Sequence, residues 1–387
     1  MTRVLLTGAG GFVGHHTLEH ILTETDWDIV CTDSFRHAGK TDRIAEVLAG
    51  GERDWRDRVW EYVVDDASNL QKVATSNPWR DRVTVVTHDL IAPFSEQLAD
   101  RIGPIDAIIS MASESHVDRS ITHPVPFIKN NVDLVLNLLE FQRHYAPDAL
   151  FLQVSTDEVY GPAPTDHDHA EWETFYPSNP YSASKAAQEA ICFSYWRTFR
   201  VPLILTNTMN IIGERQDPEK FVPLVLQKVL KGETVTIHGS PNGDPGSRFY
   251  LHARNQADAL LFLLREYLAR DSDPTKASIT QVDWQYDFDG KIDSLIYHSQ
   301  ADRPPKFHIV GEREVNNLQM AQLIAKYAKK DLKYKITDFH SSRPGHDLRY
   351  ALDGSKMQHY GWKPPLSLEQ SLERTIKWTL DRPDWLL

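Results

Sequence analysis

The chain has 387 residues, 41% hydrophobic and 25% charged, with 42 Lys and Arg against 54 Asp and Glu for a net charge of −12. These proportions exclude a disordered chain, a collagen-like repeat and a small disulfide scaffold, and the acidic balance argues against nucleic-acid binding, which needs a basic stripe. No apolar run approaches the ~20 residues that span a bilayer, the first residues lack the pattern of a secretory signal, and Cys31 and Cys192 fit buried free thiols, so the expectation is a cytoplasmic protein with neither membrane nor nucleic acid as partner.

In chain order, residues 3–7, 28–32, 83–87, 105–110, 150–154 and 202–206 are predicted strands. Their near-continuous hydrophobicity predicts burial on both faces, as in a parallel sheet covered by helices. Helical patterns lie between them, notably at 127–144 and 182–199. Strand–helix alternation of this kind predicts a doubly wound α/β sheet. After residue 207 the pattern changes. Helices at 221–231, 253–269 and 318–330 mix with short strands at 235–238 and 307–310. A last helix opens with the capping box Ser367-x-x-Gln370. The division expected is a dinucleotide-binding domain over 1–207 that also carries the catalytic residues, and a smaller C-terminal α/β lobe over 208–387 that binds substrate. Some exchange of chain between the two is expected. Segments 52–82 and 271–305, rich in charge, Trp or Pro, read as insertions.

Three patterns carry chemistry. Gly8, Gly11 and Gly14 follow the first strand, and Phe12 and Val13 open the helix behind them. In such a turn the first glycine permits the tight bend, the second lets backbone approach a pyrophosphate, and the third allows close helix–strand packing. A glycine turn alone is weak evidence; the strand–turn–helix context is what the motif requires. Asp33 ends the second strand, close to the ~20-residue offset expected of the acid that holds the ribose hydroxyls. A carboxylate there favours NAD over NADP, with Arg36 nearby as the opposing feature. Asp89 and Leu90 follow the third strand, where an adenine edge would lie; an ordinary strand-end turn is the competing reading.

The second pattern is Tyr181-Ser-Ala-Ser-Lys185. Positions four apart share a helix face, so a Lys ammonium beside a Tyr hydroxyl would favour the phenolate that removes a hydroxyl proton during oxidation. The third is Ser155-Thr-Asp-Glu-Val-Tyr-Gly161 at the end of the fifth strand, where open α/β sheets bind their ligands. Close like charges on Asp157 and Glu158 would push one pKa upward, leaving one acid protonated and the other ionised. Oxidation alone would not need that pair.

With Ser113–Ile121, Asp217-Pro-Glu-Lys220, Arg343-Pro-Gly-His-Asp347, Arg349-Tyr-Ala-Leu-Asp353 and Gly361-Trp-Lys-Pro364, these motifs resemble the dTDP-glucose 4,6-dehydratase family of the extended short-chain dehydrogenase/reductase superfamily. The resemblance implies a Rossmann fold and a resident NAD. It implies that Tyr181, helped by Thr156 and Lys185, deprotonates a sugar 4-hydroxyl. Glu158 would then remove the C5 proton while Asp157 protonates the leaving 6-hydroxyl. It further implies that Ser115, His116, Asn210, Lys220, Arg248, Asn316, Arg343 and His346 hold a nucleotide sugar, dTDP- or UDP-linked. The helices at 127–144 and 182–199 would pair a homodimer through a four-helix bundle. The chain departs from the family pattern at Ser110-Met-Ala-Ser113 and across Arg248-Phe-Tyr-Leu-His-Ala-Arg-Asn255, near the expected nucleotide end. Rival readings are a 4-epimerase or decarboxylase of the same superfamily, and a non-catalytic nucleotide-binding regulator. Asp166-His-Asp-His169 reads as a solvated lid loop over the cleft, with no metal expected.

Overall fold

The apolar runs of the first half pair side by side, and their tips carry the functional residues. The computed structural model describes residues 2–36, 38–49, 79–272, 303–338 and 347–386. Most of segments 52–82 and 271–305, together with Arg343 and His346, lies outside the described residues. The strands are β1 (Arg3–Thr7), β2 (Asp28–Asp33), β3 (Val83–Thr87), β4 (Ala107–Ser110), β5 (Leu150–Thr156), β6 (Leu203–Thr208), β7 (Asn210–Ile212), β8 (Thr234–Gly239), β9 (Ser247–His252), β10 (Lys306–Ile309), β11 (Glu314–Asn316) and β12 (Lys333–Asp338). In the first half, α1 (Phe12–Glu24), α2 (Thr41–Leu48), α3 (Glu96–Ile102), α4 (Val117–Thr122), α5 (Pro124–Tyr145) and α6 (Pro180–Phe199) alternate with them. Next come α7 (Phe221–Lys231), α8 (Ala253–Ser272), α9 (Asn317–Ala328), α10 (Ser355–His359) and α11 (Leu368–Asp381).

A seven-stranded sheet runs β10-β6-β5-β4-β1-β2-β3, and every neighbouring pair is parallel. Side chains alternate between its faces with the period of two that a strand imposes. Val4 and Leu6 of β1 join one core with Ile21 of α1 and Leu260 and Leu264 of α8. Leu5 points the other way, into a core with Leu138 and Leu139 of α5 and Cys192 of α6. Each such buried aliphatic side chain contributes roughly 1.5–3 kcal/mol. Both cysteines are buried free thiols. Edge strand β3 differs from the expectation of two buried faces, since Val85 is exposed.

The residues read as a late strand at 307–310 form β10, which pairs with β6 at the edge of the main sheet rather than in the smaller lobe. Phe307 and Ile309 are fully buried there, and they cover an apolar edge that β6 would otherwise expose. Helix α8 likewise packs on α1. The second lobe holds the sheets β11-β9-β7 and β12-β8, packed with α7, α9 and α11 around Val225, Met320 and Leu372. Among the described residues no helix is long and apolar enough to cross a membrane. The strand order of the main sheet reverses between β1 and β4, and the crevice beyond those strand ends is where open α/β sheets take ligands.

Candidate active site

A cavity of about 710 Å³ occupies that crevice and extends to the second lobe. Its inner end is the glycine turn. Gly8 has φ +70, and a Cβ on it would lie 2.9 Å from the Ala112 Cα. A Cβ on Gly14 would lie 2.0 Å from the Gly8 carbonyl oxygen, so only glycine lets α1 approach β1 this closely. Gly11 caps α1 without any side-chain hydrogen bond. The first N–H groups of the helix therefore keep their hydrogen-bonding capacity for an anion, reinforced by the helix dipole. Gly8, Gly11, Phe12, Val13 and Gly14 all line the cavity, and this arrangement fits a dinucleotide pyrophosphate.

Asp33 lines the same region. Its Oδ2 accepts from Gly10 N at 3.0 Å and its Oδ1 from Phe35 N at 2.8 Å. These bonds fix the carboxylate at the tip of β2. Burial pushes its pKa up, opposed by the backbone hydrogen bonds. Arg36 donates to Asp89 Oδ2 and to Asn130 Oδ1, each at 2.6 Å. The cation nearest Asp33 in sequence is thus tied to a carboxylate, and a 2′-phosphate would have to compete for it. Asp89 and Leu90 line the cavity beside this pair.

The tip of β5 delivers Thr156, Asp157 and Glu158 to the middle of the cavity, where Tyr181 and Lys185 of α6 meet them. Helix α6 begins with Asn179 in a capping box with Ser182 and with Pro180 in its first turn. That cap fixes the start of the helix, and so the face on which Tyr181 and Lys185 lie. Thr156 Oγ1 donates to Asp157 Oδ1 at 2.8 Å and is hydrogen-bonded to Tyr181. Asn179 Nδ2 donates to Glu158 Oε2 at 3.1 Å. Asp157 is 4% exposed, and its Oδ2 has no hydrogen-bond partner among the described residues.

Burial, then the neighbouring Glu158, pushes Asp157 from 3.8 up to about 7. Burial also raises Glu158, with the Asn179 hydrogen bond opposing. A carboxyl pair of this kind can hold one proton at neutral pH. Lys185 differs from the simple picture of an ammonium resting on the phenol. Its Nζ donates to Val154 O at 2.8 Å and to Gln188 Oε1 at 2.6 Å, and burial lowers its pKa to about 8. Tyr181 is held above its ordinary range by burial and the charge of Glu158, with the Thr156 hydrogen bond acting the other way. Asn179 and Gln188 are the supporting residues that sequence reasoning missed. The capping pattern Asn179-x-x-Ser182 was the readable signal for the first.

The outer wall comes from the second lobe and the segment before α4. Ser115, His116, Asn210, Lys220 and Arg248 line the cavity. Lys220 Nζ donates to Ser115 O at 3.2 Å. Arg248 Nη1 donates to Leu348 O at 2.6 Å, Nη2 reaches Asp347 O, and the guanidinium sits over the Tyr350 ring. His116 also caps α4, its Nδ1 accepting from Arg119 N. Asn316 is placed differently from the expectation. Its side chain caps α9 in a box with Gln319. The next residue, Asn317, lines the cavity and accepts from the Tyr250 hydroxyl at 2.8 Å. A helix N-cap turns its side-chain oxygen toward its own first turn, which takes Asn316 away from the cavity. Tyr250, Tyr350 and Asp347 are further wall residues that no single motif marked.

Two other expectations change place. The Asp166–His169 stretch is pinned rather than free: His169 N donates to Ala351 O and Asp353 N to His169 O. Asp168 pairs with Arg349 at 2.6 Å, and none of the four residues lines the cavity. His167 and His169 both hydrogen-bond Glu173, at 2.7 and 2.6 Å, while His169 Nε2 has no hydrogen-bond partner among the described residues. The departures at His252 and Arg254 lie away from the nucleotide end. His252 Nε2 sits 3.1 Å from buried Glu214, and Arg254 3.0 Å from Glu19.

The model of the NAD dependent epimerase/dehydratase family matches residues 4–275. The chain is 30% identical over 408 aligned residues to dTDP-glucose 4,6-dehydratase 1 of Escherichia coli (strain K12), covering 99% of this chain and 94% of that protein. It is 30% identical to the low-salt glycan biosynthesis protein Agl12 of Haloferax volcanii, covering 97% and 98% of the two chains. Among solved structures, a dTDP-glucose 4,6-dehydratase from Streptomyces venezuelae, crystallised with NAD bound, aligns with a TM-score of 0.73 at 26% identity over 99% and 98% of the two chains. With a family model spanning well over half of its length and relatives aligned along nearly all of it, this protein belongs to the NAD dependent epimerase/dehydratase family.

Proposed function

We propose that the protein is an NAD-dependent nucleotide-sugar 4,6-dehydratase, a hydro-lyase that converts an NDP-hexose to the NDP-4-keto-6-deoxyhexose. The observation that carries the reading is the placement of Asp157 and Glu158 side by side on the cavity wall that also holds Tyr181. An epimerase or a simple dehydrogenase needs the tyrosine and the lysine but not a buried acid pair beside them.

Gly8, Gly11, Phe12, Val13, Gly14, Asp33, Asp89 and Leu90 are the residues that would hold the NAD, with Tyr181 and Lys185 at its nicotinamide end. When bound, the dinucleotide would supply a reversible two-electron acceptor, taking the C4 hydride and returning it to C6 after water is lost, while C5 regains a proton, so that the conversion is redox-neutral. Tyr181 acts as the phenolate: it takes the proton of the sugar 4-hydroxyl and becomes the phenol, hydrogen-bonded to Thr156. Lys185, anchored by Val154 and Gln188, holds positive charge on the same side. Once C4 is a ketone, the C5 proton is acidic, and Glu158, oriented by Asn179, accepts it. Asp157, with a pKa of about 7, still carries its proton in part of the population at neutral pH and gives it to the departing 6-hydroxyl. Lys220 and Arg248 bind the diphosphate, and Ser115, His116, Asn210 and Asn317 line the remaining path.

The assembly we propose is a homodimer in the cytoplasm, paired through α5 and α6. These helices pack on each other and leave Val125, Leu136, Tyr145 and Phe199 exposed; closed two-fold pairs are the commonest way to cover such surface. Sedimentation at micromolar concentration tests this, and a monomer would overturn it. The activity is tested with a panel of dTDP-, UDP-, CDP- and GDP-hexoses, read by mass spectrometry. One of them should lose one water with no net release of reduced cofactor. Epimerised or decarboxylated product instead would sink the dehydratase reading.

A further inference from the structure

Behind the cavity, where the cofactor turn meets the segment leading to Lys220, lies a buried set of charges that the proposed chemistry does not use. Arg43 of α2 is fully buried. Its Nη1 donates to Gly10 O at 3.2 Å and to Ala38 O at 2.6 Å, on the cofactor side. Its Nη2 donates to Arg215 O at 2.8 Å and to Asp217 Oδ1 at 3.2 Å, on the substrate side. The contact is reciprocated: Arg215 reaches back to Glu46, on the same face of α2 as Arg43, and lies 3.3 Å from His15 of α1. Arg215 also has φ +66, a left-handed conformation that non-glycine residues adopt only where their surroundings impose it.

Buried ion pairs are weak evidence for stability, because desolvation offsets the attraction; their best-attested use is fixing one arrangement among several. Here the arrangement fixed is the relation between the two halves of the cavity. Gly10 belongs to the glycine turn, and its N–H holds Asp33. On the other side, Asp217 O accepts from Lys220 N at 3.0 Å and so sets the start of α7. From there Lys220 Nζ reaches Ser115 at the cavity wall. One guanidinium therefore holds a wall of each binding site.

We infer that Arg43, with Arg215, is a positioning latch that makes dinucleotide and nucleoside-diphosphate binding cooperative. This rests on the dehydratase reading of the site. A dinucleotide seated on the turn holds Gly10 still; that fixes the Arg43 fork, which fixes residues 215–217 and presents Lys220 to the second ligand. By linkage the effect is reciprocal, and couplings of this kind amount to about 5–150-fold in affinity.

The test is calorimetric titration of the full-length chain, first freed of any resident NAD, with NAD, alone and with saturating dTDP or UDP. The wild-type dissociation constant for NAD should fall at least about fivefold when the second nucleotide is present. Arg43→Lys keeps the charge but cannot span both sides with one planar fork, and it should bring the ratio close to one. Asp217→Asn, at a partly exposed position that folding tolerates more easily, should lower the ratio in the same direction. A merely structural role would weaken both affinities and the melting temperature while leaving the ratio unchanged, and that outcome overturns the latch. A wild-type ratio of one with both ligands bound overturns the latch alone. A wild-type chain that binds neither ligand overturns the dehydratase reading and the latch with it.

Discussion

The two walls of the cavity are built in opposite ways. The inner wall comes from the tip of β5 and the first turns of α6, and its polar groups are bonded to one another: Thr156 to Asp157, Asn179 to Glu158, Lys185 to Gln188. The outer wall is gathered from separated segments, and its cations are bonded to backbone carbonyls, Lys220 to Ser115 and Arg248 to Leu348 and Asp347. A cation held by carbonyls is oriented without being neutralised. Arg36 and Arg349, by contrast, are paired with carboxylates. A chain of net charge −12 thus keeps two cations, Lys220 and Arg248, oriented on one wall of the cavity. The contrast between the walls also separates the expected kinetic effects, since inner-wall changes should act on turnover and outer-wall changes on affinity.

The largest effect expected is at the inner wall. Tyr181→Phe should lower turnover by about 10²–10⁴-fold, the usual worth of a positioned acid or base, with little change in substrate affinity. Glu158→Gln and Asp157→Asn should leave the first oxidation in place and stop water loss, so that single-turnover absorbance shows reduced nicotinamide building up. Normal product formation in these variants would dissolve the distinction between the walls.

Asp157 gives a second test, through stability. Its folded pKa of about 7 lies above its ordinary 3.8, so the folded chain holds the extra proton between those values. The stability this contributes is complete below the ordinary carboxylate range and is lost as pH rises through about 7. Asn has nothing to titrate. Asp157→Asn should therefore unfold at higher denaturant than wild type above neutral pH, by an amount on the order of a few kcal/mol, and the gap should close toward pH 4. An equal gap at every pH would mean that the burial cost lies elsewhere.

Gly14→Ala sharpens the comparison at the cofactor end. The added methyl would meet the Gly8 carbonyl, and overpacking of this kind costs roughly 1–3 kcal/mol. Thermal melting should register that loss, and NAD affinity should fall with it. The smallest effect is at the outer wall. Arg248→Lys keeps the charge but loses the fork that donates to three backbone carbonyls, and it should raise KM by about tenfold, the equivalent of about 1.4 kcal/mol, with kcat nearly unchanged. A loss in kcat without a change in KM would place Arg248 with the reacting groups instead.

The sequence by itself determined what depends on short spacing. Gly8, Gly11 and Gly14 fall on one turn, Tyr181 and Lys185 on one helix face, and Asp157 and Glu158 at one strand tip, because each relation is set within a few residues by backbone geometry. The alternating cores of β1 were legible for the same reason, in the runs of apolar residues that made them. Tertiary structure alone decided the rest. It moved 307–310 from the smaller lobe into the main sheet, where β6 had an edge to cover. It turned Asn316 to a helix cap and gave the wall to Asn317. It also brought Arg43 to the carbonyl of Arg215, 172 residues away. Partners so distant are chosen by which surfaces can exclude water together, and that choice leaves no period or spacing in the chain to read.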